Sequence, residues 1–87
     1  MAYQVSILPA ALRQLAKLPR IVQERIQPRI DALSDDPRPP GTKALAGGSG
    51  FFRLRVGDYR VIYEIRDEIL TVLVVRVGHR REVYRNR

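Results

Sequence analysis

Residues 51–84 read FFRLRVGDYRVIYEI, a short acidic turn, LTVLVVRVG and then HRREVY, and no other stretch restricts the fold of this chain as strongly. Val, Ile, Tyr and Phe alternate with polar residues, and Gly57-Asp58 and Asp67-Glu68 interrupt the runs, so the pattern predicts three strands joined by tight turns into an antiparallel meander. On the first strand Phe52, Leu54 and Val56 share one face and Arg53 and Arg55 the other; on the second Tyr59, Val61, Tyr63 and Ile65 oppose Arg60, Ile62 and Glu64. Strict alternation along the third strand puts Arg76 on the parity of Leu70, Val72 and Val74. Neighbouring strands pair, so Arg53, Arg55 and Arg60 can lie side by side. Like charges set opposite one another destabilise a sheet, and a fold that tolerates them is usually meeting an anion there.

Before the meander the periodicity is different. Residues 3–7 alternate and read as a short strand closing a sheet edge. From Pro9 onward Leu8, Leu12, Leu15 and Ala16 recur at helical spacing while Arg13 and Lys17 face away, as far as Pro19. A second helix is predicted over 20–33, with Val22, Ile26, Ile30 and Leu33 on one stripe, and Pro28 inside it predicts a kink or a break. Residues 38–50 are rich in Pro and Gly and read as a connection, with Leu45 on the core and Lys43 near the basic surface. The order β-α-α-β-β-β predicts an α+β fold, an antiparallel sheet with a two-helix hairpin on one face, and leaves the other face open for function.

The 87 residues make one domain, 1–87, with room for a single core. A net charge of +7, from 16 Lys or Arg against 9 Asp or Glu, predicts attraction to polyanions, nucleic acid foremost. The absence of cysteine excludes disulfide staples, thiolate nucleophiles and Cys-based zinc sites. The single His and the lack of ligand-spaced carboxylates argue against a tightly held metal, and no cofactor is expected. No apolar run approaches membrane-spanning length and the start lacks a signal-peptide pattern, which predicts a cytoplasmic protein without membrane contact.

The element order, the helix phrase LRQLAKLPRIVQERI, the loop phrase KALAGG, the paired strands FFRLRVGDYRVIYEI and the ending VVRVGHRREVYR together resemble the RelE/ParE superfamily of toxins from toxin–antitoxin modules, the RelE branch in particular. The resemblance covers nearly the whole chain, and GDYRVIY with RVGHRREVY is its most specific part. It implies a RelE-like toxin, a ribosome-dependent endoribonuclease that cleaves mRNA in the ribosomal A site. The family's basic positions fall on Arg53, Arg55, Arg60 and Arg80, and its C-terminal tyrosine on Tyr84. Arginines stand at the first two positions, where the best-known members carry lysine, and the segment from the VG element to the tyrosine is slightly shorter, so that His79 and Arg81 are placed to share the task. Lys43, Arg76, Arg81 and Arg85 complete the expected nucleic-acid-binding set. The resemblance also implies a RelB-like antitoxin as partner, the ribosome and mRNA as targets, and operator DNA bound through the antitoxin complex.

RNA can be cut without metal, because its own 2′-hydroxyl attacks the adjacent phosphate. The enzyme must then help that hydroxyl lose its proton, stabilise the phosphorane and protonate the leaving 5′-oxygen. Arg55 and Arg60 suit the second task, since a guanidinium offers a planar fork to phosphate oxygens; Arg80 suits it too, or proton donation. His79 is the best-tuned base on chemical grounds. Tyr84 can stack on a base, orient the nucleotide or act as a base, and stacking is preferred. Two other function classes stay open: a ParE-like inhibitor of DNA gyrase, and an inert nucleic-acid-binding co-repressor.

Overall fold

The alternating pattern of the C-terminal half does produce three strands in register, and the chain closes around them. In the computed structural model, which describes residues 2–45, 47 and 50–79, the elements run β1 (Gln4–Ile7), α1 (Pro9–Ala16), α2 (Arg20–Asp31), β2 (Thr42–Ala44), β3 (Phe51–Val56), β4 (Tyr59–Arg66) and β5 (Thr71–His79), with single 3-10 turns at Ala32–Ser34 and Asp67–Ile69. The strands form one sheet in the order β1-β5-β4-β3-β2. β1 lies parallel to β5 at one edge, and the other pairs are antiparallel.

Both helices cover the same sheet face. Ala11 and Leu15 of α1 and Ile26 and Ile30 of α2 meet Leu54, Val61, Tyr63, Val72 and Val74 in a single core, with Leu33 closing it after α2. Each fully buried Leu, Ile or Val contributes about 1.5–3 kcal/mol relative to exposure, which makes this layer the main source of stability. The amphipathic stripe of α1 is narrower than its leucines suggest: Ala11 and Leu15 are buried, whereas Leu12 is 54% exposed. The small Ala11 lets the helix approach β5, and the two-turn helix has only one row of side chains to offer the sheet. α2 runs unbroken through Pro28. Glu24, whose carbonyl loses its helical partner to the proline, is exposed like Pro28 itself, so the lost bond falls on the solvent side.

The Pro- and Gly-rich connection is more ordered than its composition suggests. Its residues Thr42–Ala44 form an edge strand paired to Leu54, Arg53 and Phe52, and Leu45 is half-buried beside the strand instead of joining the core. Tyr63 pins this connection: its buried hydroxyl donates to the Pro37 carbonyl at 2.7 Å and lies 3.2 Å from the Thr42 hydroxyl. Burial pushes the Tyr63 phenol pKa upward.

At the same end of the molecule, Arg38 holds Asp67 through both carboxylate oxygens at 2.8 and 3.3 Å, and the Tyr3 hydroxyl donates to Asp67 Oδ1 at 2.6 Å. The Arg38 hydrogen bond, then that of Tyr3, hold the Asp67 carboxyl below its usual range. This clamp ties the first strand, the central connection and the β4–β5 turn together.

Candidate active site on the open sheet face

The face away from the helices carries the arginines, and strand register arranges them. Lys43, Arg53, Ile62 and Arg76 are successive cross-strand partners on β2, β3, β4 and β5. One pleat further on, Arg55 pairs with Arg60 and Arg60 with Gly78. With strands about 4.8 Å apart and side chains on one face repeating every ~6.7 Å, five cations share a patch small enough to span one or two nucleotides.

Arg76 reaches this face through an irregularity. Ile62 pairs with Arg76 but Tyr63 pairs with Val74, so Val75 is an extra residue in β5 and the register slips between Ile62 and Tyr63. A bulge of this kind exchanges faces for everything beyond it. Strict alternation assigns Arg76 to the parity of Val72 and Val74; the bulge corrects that assignment, sending Arg76 to the open face and returning Val77, 3% exposed, to the core. A charge that would otherwise be driven into the apolar layer joins the other cations.

Arg60 is the least exposed of the group, at 7%. Its Nη1 donates to the carbonyls of Gly57 and Tyr59 at 3.2 and 3.1 Å, folding the guanidinium against the β3–β4 turn. Among the described residues its Nε has no hydrogen-bond partner. Two carbonyls therefore fix one edge of the fork, and the remaining N–H groups are held in a fixed orientation. Arg55, directly opposite, is exposed. Among the described residues Arg55, Arg60 and Arg76 form no ion pair, and Glu64, the carboxylate on the same face, sits 3.1 Å from Arg66 of its own strand. Ile62 lies in the middle of the patch and is 8% exposed although it faces away from the helices.

His79 goes elsewhere. Past the bulge it pairs with Tyr59, whose ring it meets edge to face at 5.5 Å, and Tyr59 packs on the helix-side core. The structure thus brings Lys43, Arg53, Arg55, Arg60 and Arg76 together and places His79 on the opposite side of the sheet. Arg80, Arg81, Tyr84 and Arg85 lie outside the described residues. Two features of the site escaped sequence reasoning. Nothing in the run Val74-Val75-Arg76 announces a bulge, since it contains no glycine; Gly78 reads as a turn residue, yet it is a buried strand residue paired with Arg60.

Comparisons with known proteins bear on the family and the fold. A family model described as the ParE toxin of type II toxin–antitoxin system, parDE, matches residues 5–84. Toxin RelG of Mycobacterium tuberculosis is 38% identical over 98% of this chain and 99% of its own length. The mRNA interferase toxin RelE of Escherichia coli K12 is 33% identical over 97% of this chain and 92% of its own length. Among solved structures, the toxin–antitoxin complex RelBE2 from M. tuberculosis superposes with a TM-score of 0.80 at 34% identity, covering 91% of this chain and 99% of the other. The archaeal RelE–RelB complex from Pyrococcus horikoshii OT3 gives a TM-score of 0.81 at 28% identity, covering 92% and 97%. The two-helix, five-stranded α+β architecture, the arginine-bearing open face and these matches over nearly the full length lead to one assignment: the chain belongs to the RelE/ParE superfamily of toxins from type II toxin–antitoxin systems.

Proposed function

We propose that this toxin is a metal-independent endoribonuclease that cleaves mRNA in the ribosomal A site. The observation that carries the reading is the Arg55–Arg60 cross-strand pair, flanked by Lys43, Arg53 and Arg76, on a face the helices leave open. In the reaction the 2′-oxygen forms a bond to the adjacent phosphorus as its proton leaves. The bond from phosphorus to the 5′-oxygen breaks, and that oxygen takes up a proton, leaving a 2′,3′-cyclic phosphate and a 5′-hydroxyl.

Arg60, fixed by two backbone carbonyls, is preorganised to meet the phosphorane oxygens without reorganising as charge develops. Arg55 supplies a second fork from across the strand pair, and Arg53, Lys43 and Arg76 hold the flanking phosphates. Arginine stays protonated and is a poor base, so these groups act by charge and position. The ribosome contributes by aligning the 2′-hydroxyl with the scissile bond. Arg80 and Tyr84 complete the reading, Arg80 assisting at the phosphate and Tyr84 stacking on a base; Arg81 and Arg85 add backbone contacts. His79, expected as a proton acceptor, lies on the far side of the sheet from these arginines, so its part in the reaction is the point its variant tests.

The named RelE–RelB complexes support a cognate RelB-like antitoxin as partner; binding of operator DNA through that complex is part of the same proposal. A second reading, inhibition of DNA gyrase, has in its favour the ParE description of the matching family model. Incubation of the purified protein with programmed ribosomes and mRNA separates the two. The parent should cut and leave gyrase supercoiling untouched; Arg60→Ala and Arg80→Ala should lose about 100-fold or more in rate, while His79→Ala and Tyr84→Phe apportion the remaining roles. An intact message with inhibited supercoiling would establish the second reading instead.

A further inference from the structure

β1 accompanies β5 only from Thr71 to Val74, so among the described residues the end of β5 has β4 on one side and no strand on the other. This uncovered stretch contains the bulge at Val75, where the ladder to β4 is itself interrupted. A strand with one flank bare and the other broken is poorly held in register, and a slip of one residue would exchange its faces. Backbone amides buried there also need partners, because an orphaned one loses its water without gaining a replacement bond.

One partner comes from a helix. Gln14 of α1, half-buried, turns its Oε1 to accept the Val77 N–H at 2.8 Å, a bond across 63 residues of sequence. Val77 lies directly between Arg76, which the bulge brings to the open face, and Gly78, which stands opposite Arg60. We propose that Gln14 is a positioning residue for the arginine face: its carboxamide stands in for the strand that β1 does not supply, selects the bulged register of β5, and so fixes Arg76 and the place of Gly78 opposite Arg60. The kinetic consequence rests on the ribonuclease reading; the anchoring does not.

Gln14→Met keeps the length of the side chain and removes the acceptor, whereas Gln14→Glu keeps an acceptor oxygen. Amide hydrogen exchange at Val77, followed by NMR, and ribosome-dependent cleavage should be measured on parent and both variants. For Gln14→Met the expected result is about tenfold faster exchange at Val77 with parent-like protection at Val61 and Tyr63, and kcat about tenfold lower with KM within about twofold. Gln14→Glu should restore both. Unchanged exchange at Val77 in Gln14→Met would overturn the anchoring. Faster exchange with parent-like kcat would show that Gln14 positions nothing of consequence, and equal loss in both variants, or loss of protection throughout β4, would reduce it to a general packing residue. A parent that cuts nothing is a separate failure: it removes the ribonuclease reading and the kinetic arm, and Val77 exchange alone then decides whether Gln14 holds β5.

Discussion

Arg55 and Arg60 face each other across β3 and β4, an arrangement that costs stability. Replacing the exposed member, Arg55→Gln, should therefore leave the protein as stable or more stable, by up to about 1 kcal/mol in denaturant unfolding, while the cleavage rate falls. A destabilised Arg55→Gln would mean that the pair is not repulsive in the folded protein. Tyr63→Phe acts in the other sense: it leaves the Pro37 carbonyl without its donor and should cost about 1–3 kcal/mol. Asp67 gives the clamp a pH dependence with a definite sign. Its folded-state pKa lies below its ordinary value of 3.8, so its contribution is present above that value and is lost as the pH falls through the lowered one. The stability difference between parent and Asp67→Asn should accordingly be flat near neutrality and shrink in acid below about pH 4; a difference that grows on acidification contradicts the clamp.

At the scale of elements, the bulge decides the site. Deleting Val75 should remove the bulge without exchanging faces, since Val74 then still meets Tyr63 and Arg76 still meets Ile62, so the variant should unfold within about 1 kcal/mol of the parent. A Val75 deletion that costs several kcal/mol, as burial of the Arg76 charge would, contradicts this reading of the extra residue. The same element marks the limit of what the sequence discloses. Period-two alternation sufficed for β3 and β4, where no residue is added and Gly57, at φ 60°, makes the tight turn between them. It failed in β5, because a bulge built from Val-Val-Arg carries no compositional mark and is chosen by contacts such as that of Gln14. It also failed at β2, whose three residues are too few for a period and become a strand only because β3 offers an edge. On α1, Leu12 has the right spacing for burial but points past the sheet, which only the docking of Ala11 on β5 settles.

Across the whole molecule, a net charge of +7 attracts polyanions from a distance, but the sheet concentrates five cations in one patch of the face free of helices. One or two nucleotides bring two or three phosphates, whose neutralisation on a single strand predicts a fall of log affinity with log salt of slope about −1.4 to −2.1, and loss of one phosphate contact should reduce that slope by about 0.7. That gradient separates phosphate contact from mere attraction, whereas the proposed cleavage depends on the place of the arginines and not on charge alone. It is tested most directly by single-turnover cleavage of ribosome-bound mRNA with two variants of equal net charge, Arg55→Gln on the open face and Arg13→Gln on the exposed side of α1. Arg55→Gln should be about 100-fold slower than the parent and Arg13→Gln within about twofold of it; equal loss in both, or loss in neither, would contradict an active face built from the arginines of the sheet.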